Sequence, residues 1–130
     1  KLITGVLVLP QRNPIILAKR LATIDRLTSG PIELGIGVGW LREKFNALNV
    51  QFNNRGERTD EYIQAMRKLW REDAATFKGK FINFDSVNCN PKPIGKNLPI
   101  IIGGHSARAV TRAAEFGDGF FPATSMQNDL

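Results

Sequence analysis

The stretch Leu98-Pro99-Ile100-Ile101-Ile102-Gly103-Gly104-His105-Ser106 decides the fold. Its apolar, β-branched part is short and lacks polar alternation. It reads as a strand buried on both faces, the pattern of a parallel sheet. Two glycines end the strand. Ser106 then caps a helix with Ala109, Val110, Ala113 and Ala114 inward, and Gly117 stops it. Gly119-Phe120-Phe121-Pro122 follows as another short strand. Strand, helix and strand form one unit, whose crossover is expected to be right-handed.

Toward the N-terminus the pattern repeats. Leu2-Ile3-Thr4-Gly5-Val6-Leu7-Val8-Leu9 is a continuous apolar run ended by Pro10, and predicts a strand near 3–9. Asn13-Pro14 opens a helix near 14–28, with Leu17, Leu21 and Ile24 at helical spacing beside Ala18 and Ala22. Ser29-Gly30-Pro31 stops it. Ile32-Glu33-Leu34-Gly35-Ile36-Gly37 is a second strand, running into Val38-Gly39-Trp40. Leu41, Phe45 and Leu48 suggest a short helix, and residues 49–58 read as a polar loop. Thr59 caps a stronger helix near 59–72, with Asp60 and Glu61 in its first turn and Tyr62, Ile63, Met66, Leu69 and Trp70 inward. Phe77-Lys78-Gly79-Lys80-Phe81 marks a hairpin insertion, and Asn90-Pro91-Lys92-Pro93 a stiff loop. The expected class is α/β, with about four parallel strands and helices on one side.

Composition narrows the function. The chain has 130 residues, one cysteine (Cys89) and one histidine (His105). That leaves no disulfide framework and no cysteine-rich metal set, and a metal site is not expected. Cys89 reads as a small, partly buried side chain. A reducing, cytoplasmic setting fits. No apolar run approaches the roughly 20 residues of a membrane span. The first residues are read as a strand rather than a signal peptide, because no small-residue cleavage site follows. The net charge of +6 raises the question of nucleic acid. The basic residues are interleaved with acidic ones, as in Arg67-Lys68-Leu69-Trp70-Arg71-Glu72-Asp73, so neither nucleic acid nor membrane is the expected partner. A phosphorylated small ligand suits such a surface equally well.

Ligands of parallel α/β folds bind beyond the C-terminal strand ends. Leu9-Pro10, Gly37-Val38-Gly39-Trp40 and Gly103-Gly104-His105-Ser106 should therefore lie at one rim. Gly103-Gly104 before a helix start lets backbone N–H groups approach an oxyanion, and Ser106 adds a hydroxyl. A tight turn alone would also use two glycines. His105 could act as acid or base, though no carboxylate adjoins it in sequence. Gly35-Ile36-Gly37-Val38-Gly39 does not make a dinucleotide fingerprint, since Trp40 stands where the last glycine belongs. Gly37 and Gly39 could instead admit a flat ring, with Trp40 walling the pocket or, more in keeping with an indole, packing beneath it. Glu43 lies near the same rim.

The ordered set Val6 to Pro14, Leu34 to Trp40, Arg55-Gly56-Glu57-Arg58-Thr59-Asp60-Glu61-Tyr62, Asn90 to Pro93, Ile101 to Ser106 and Gly117 to Pro122 resembles the luciferase-like monooxygenase superfamily. It is most similar to the branch dependent on coenzyme F420. The resemblance implies a (β/α)8 TIM barrel with F420, or alternatively FMN, at its C-terminal rim. It implies a non-prolyl cis peptide under the ring at Val6-Leu7, within one residue. It places the cofactor pocket at Gly37, Val38 and Gly39, and the phosphate at Gly103, Gly104 and His105, with Ser106 beside them. The whole of 1–130 would be one incomplete barrel domain, roughly half of the usual 250 or so residues. Four strands cannot close eight, so two sheet edges stay open and self-association through them is conceivable. Catalytic residues are not assignable, because the family's lie largely on other strands. The isolated chain is expected to lack a complete active site, and the substrate is expected to be a small molecule. The competing readings are an FMN monooxygenase of the same fold and a non-catalytic half-barrel that binds or self-associates.

Overall fold

The computed structural model describes residues 1–30 and 32–123. In chain order the elements are β1 (Leu2–Ile3), β2 (Leu7–Val8), α1 (Pro14–Thr28), β3 (Ile32–Gly37), α2 (Arg42–Ala47), α3 (Arg55–Arg71), β4 (Ala75–Lys78), β5 (Asn83–Val87), β6 (Ile100–Gly104), α4 (Ala107–Phe116) and β7 (Gly119–Pro122). Strands β1 and β2 both pair in parallel with β3, which pairs with β6, which pairs with β7. Because β1 and β2 are two pieces of one interrupted strand, the sheet is a curled half-barrel of four parallel strands. The expected α/β architecture is present, with its hairpin insertion β4–β5.

The strand expected over 3–9 is broken, for a reason the local sequence does not show. Leu2↔Ile32 and Ile3↔Glu33 give way to Leu7↔Ile36 and Val8↔Gly37. Thr4, Gly5 and Val6 thus stand opposite only Leu34 and Gly35, which is a bulge of one residue. The Thr4 hydroxyl donates to Gly35 O at 2.7 Å, and the Gly5–Val6 peptide is cis. The cis bond falls one residue before the Val6-Leu7 position that the resemblance implied. Residues Leu9–Gln11 then form a 3-10 turn instead of continuing the strand.

One face of the sheet is the core. Leu34, Ile36, Ile100 and Ile102 are buried with Ile63, Met66, Leu69 and Trp70 of α3 and Leu17, Ala18, Leu21 and Ala22 of α1. Alternation along the strands sends Gly35, Gly37, Ile101 and Gly103 to the opposite, concave face. Helix α1 begins as expected, with the Asn13 side chain accepting from Ile15 N and Ile16 N. Its inward position in the last turns is Asp25, not Ile24. The Asp25 carboxylate accepts from Ile94 N at 2.9 Å, and Arg26 Nε donates to Lys92 O at 2.7 Å. Stitching the proline loop to α1 turns Ile24 outward.

Helix α3 starts one turn before Thr59. Arg55 and Gly56 look like loop residues, but Thr59 is buried inside the helix and its hydroxyl donates back to Arg55 O at 2.7 Å. This is the i−4 bond of a helical threonine rather than a cap. Glu61 holds the hairpin: its carboxylate accepts from Lys80 N, Phe81 N and Ile82 N at 2.5, 2.7 and 2.9 Å. Gly79 N donates to Ile82 O, so the turn spans residues 79–82. On α4, Val110 and Ala114 face outward, and Arg112 is buried beside Ala109 instead. Strand β6 starts at Ile100, two residues later than the apolar run suggests. Its first N–H donates to Asp118 Oδ2 at 2.9 Å, and Arg67 donates to the same oxygen at 2.8 Å. Burial raises the Asp118 carboxyl, but these donors and the Arg67 charge outweigh it and hold the group below the usual range.

Candidate cofactor site at the strand ends

The bulge folds over a face made of glycines. At Gly37 an added β-carbon would lie 3.1 Å from Val6 Cγ2, and at Gly103 it would lie 2.9 Å from Val6 Cγ1. Val6 therefore occupies the space those glycines leave, and its side chain covers the concave face at the C-terminal ends of β3 and β6. At Gly35 an added methyl would overlap the Thr4 carbonyl oxygen. Leu7 turns the other way and packs against the core. Of the expected residues, Val6, Gly37 and Gly103 are thus brought into direct contact.

The other glycines serve packing as well. Gly39 has φ 82°, and a β-carbon there would meet Phe45 and Val8, each at 2.8 Å. Gly104 has φ 152°, and a β-carbon there would lie 2.7 Å from Ala109 Cβ. The turn is thus tight because α4 folds back on β6. Ser106 caps α4, its Oγ accepting from Ala109 N at 3.2 Å. With Ala109 N so engaged, among the described residues the N–H groups of Ala107 and Arg108, the first of the helix, are left for an external acceptor.

Beside Ser106 lies a polar pocket of about 170 Å³, lined by Val38, Asn53, Arg55, Gly56, Ser106, Arg108 and Arg112. It joins Val38 and Ser106, both expected from sequence, with three arginines and an asparagine that were not. Arg55 is fixed by several contacts. Its Nε donates to Gly39 O at 2.9 Å, and its guanidinium lies 3.9 Å from the Phe52 ring centre. Arg42 stacks on the same ring at 4.2 Å. Arg112 pairs with Asp60 and donates to Gly56 O at 3.4 Å. The sequence signal was present in Arg55-Gly56-Glu57-Arg58 and in the i, i+4 pair Arg108 and Arg112. Their convergence needs α3 and α4 to be placed first.

Several candidates fall elsewhere. His105 is exposed on the turn, and among the described residues no carboxylate lies within ion-pairing reach of it. Glu43 is exposed on α2. Trp40 is 80% exposed, so it neither packs beneath the pocket nor is held against it. The chain there turns into α2, and Phe45 takes the buried place. A groove of about 520 Å³ runs along the outer side of α1 between Ile16, Ile24, Val87 and Cys89. It is almost wholly apolar and lies away from the strand ends, so it lacks the convergent polar groups of a site. Burial pushes the Cys89 thiol up, against the smaller pull of Lys92 and Lys19, which is the opposite of an activated thiolate. No helix among the described residues is long and apolar enough to cross a membrane.

The likeness to known proteins agrees with the fold. An FMNH2-dependent dimethylsulfone monooxygenase of Pseudomonas fluorescens is 39% identical over 124 residues, 93% of this chain and 34% of that protein. A monooxygenase from Streptomyces bottropensis superposes with a TM-score of 0.84 at 27% identity, over 92% of this chain and 37% of its own. An F420-dependent secondary alcohol dehydrogenase, solved with an F420-acetone adduct, shares the fold with a TM-score of 0.83 at 24% identity, over 95% of this chain and 38% of its own. The chain therefore spans about a third of the length of the relatives it matches, less than the half expected from a standard barrel. The profile of the luciferase-like monooxygenases matches residues 1–129, and the chain belongs to that family.

Proposed function

We propose that this chain supplies the ring support and the phosphate pocket of an oxidoreductase that uses reduced FMN. The observation that carries the reading is the cationic pocket at the β6–α4 turn, lined by Val38, which directly follows Gly37 of the face that Val6 covers. Val6, backed by Gly37 and Gly103, offers an apolar contact for a flat ring. Leu7 supports it from the core side. Val38 and Gly39 form the wall between ring and phosphate. Ser106, the first N–H groups of α4 and Arg55 hold the phosphate, with Gly103, Gly104 and His105 shaping the turn that aims them. When bound, the reduced ring supplies electrons, either as hydride to a substrate or to oxygen. The residues of this chain bind and orient it; a small-molecule substrate would meet it from the open side of the half-barrel, where groups from further strands are needed.

FMN is favoured over F420 because the 39%-identical relative carries an FMNH2-dependent name. F420 is the second reading, favoured by the ordered motif set of the sequence. Titrating each cofactor into the natural protein, with fluorescence as the readout, separates them. FMN is expected to bind at least about ten-fold more tightly, as one well-placed charge-assisted contact would give. The reverse order would assign F420, and no saturable binding of either would overturn the reading.

A further inference from the structure

We propose that Arg108 makes the pocket select a doubly charged phosphate monoester, and so acts as the specificity residue of this subsite; the proposal rests on the phosphate reading given above. Arg108 and Arg112 stand one helical turn apart on α4, and both guanidinium groups lie over Gly56. A β-carbon at Gly56 would sit 3.1 Å from Arg112 Nη2 and 3.5 Å from Arg108 Nη2. A side chain there would press on Arg112 and touch Arg108. Two like charges at that spacing repel each other. One is compensated: Arg112 is 6% exposed and paired with Asp60. The other is not. Arg108 is exposed, and among the described residues neither it nor Arg55 has a carboxylate within 4.0 Å. Three guanidinium groups thus face the pocket against one carboxylate that is already engaged.

The two uncompensated charges match a phosphate monoester, which is dianionic above a second pKa of about 6. A phosphodiester, or the monoester with one more proton, offers a single charge. FMN carries such a monoester. Affinity should therefore rise with pH as the dianion forms. The groups around the pocket would give the opposite trend. They are Asp60 and Glu57 on α3, Glu115 on α4 and His105 on the turn, with Arg55, Arg112 and Lys80, which pairs with Glu57. Protonating any of the acids or His105 adds positive charge, and so would tighten anion binding at low pH. A rise with pH can come only from the ligand.

The experiment measures the Kd of FMN for the natural protein from pH 5 to pH 7.5, with riboflavin as the phosphate-free probe. The native protein is expected to bind FMN about ten-fold more tightly at the upper end, as for one charge-assisted contact. Arg108→Gln is expected to flatten that rise to below about three-fold, and Arg108→Lys to restore part of it. Riboflavin should show no rise in any variant. Arg108 is exposed, so folding is not at stake. An Arg108→Gln protein with the full ten-fold rise overturns the proposal. FMN and riboflavin binding equally at every pH would instead remove the phosphate reading beneath it, a result that is separately recognisable.

Discussion

Gly35→Ala is expected to destabilise the protein by about 3 kcal/mol, the upper end for forcing an extra methyl into a packed site. The added carbon would overlap the Thr4 carbonyl oxygen, with the Thr4 carbonyl carbon 3.1 Å away. Both are backbone, so no side-chain rotation relieves the clash. The bulge must move, and Val6 with it, off Gly37 and Gly103. Gly5→Ala is the matched control, because nothing lies within 4 Å of a β-carbon there, and should stay within about 0.5 kcal/mol. Urea midpoints at unchanged slope give both values. A Gly35→Ala protein as stable as the native one would mean that the bulge is not packed as described.

Trp70→Ala should cost about 3–5 kcal/mol. The indole is fully buried between α1 and α3, and its Nε1 donates to Ala18 O at 3.0 Å. Truncation opens a cavity under the sheet and removes that hydrogen bond. Trp70→Phe should cost less, because most of the volume stays and chiefly the bond is lost, on the order of 1–2 kcal/mol. The same denaturation series measures both. A Trp70→Ala loss below about 1 kcal/mol would show that this part of the core collapses around the gap instead of depending on the ring.

The parallel strands were legible because their sequence carries the signal within itself. Ile100-Ile101-Ile102 can hardly be anything but a buried strand, and Asn13-Pro14 and Ser106 mark helix starts through chemistry confined to a few residues. The features that escaped depend on partners distant in sequence. The break after Ile3 exists because Thr4 meets Gly35. Asp25 displaces Ile24 from the interior because the N–H of Ile94 needs an acceptor. Arg112 displaces Val110 because Asp60 and the Gly56 carbonyl lie across from it, on a helix whose first turn reads as loop.

The candidate site divides the same way. Gly37, Gly103, Val38 and Ser106 were visible at strand ends, where parallel folds place ligands. Gly103 and Gly104 were expected to make room for an anion and Gly37 for a flat ring; in the fold Gly37 and Gly103 make room for Val6, and Gly104 for Ala109. The cationic half came from Arg55, Arg108 and Arg112, residues that composition alone counts as dispersed surface charge. Dispersion along the chain is no guide to dispersion in space once α3 and α4 pack side by side.

The most direct test of the account is the position of phosphorus in a crystal of the natural protein soaked with FMN. The account predicts the phosphate within hydrogen-bonding distance, about 3 Å, of Ser106 Oγ and the first N–H groups of α4, with Arg55 and Arg108 closing on its oxygens and the ring against Val6. A phosphate located elsewhere, with the pocket between Val38, Ser106 and Arg112 left to solvent, would contradict it.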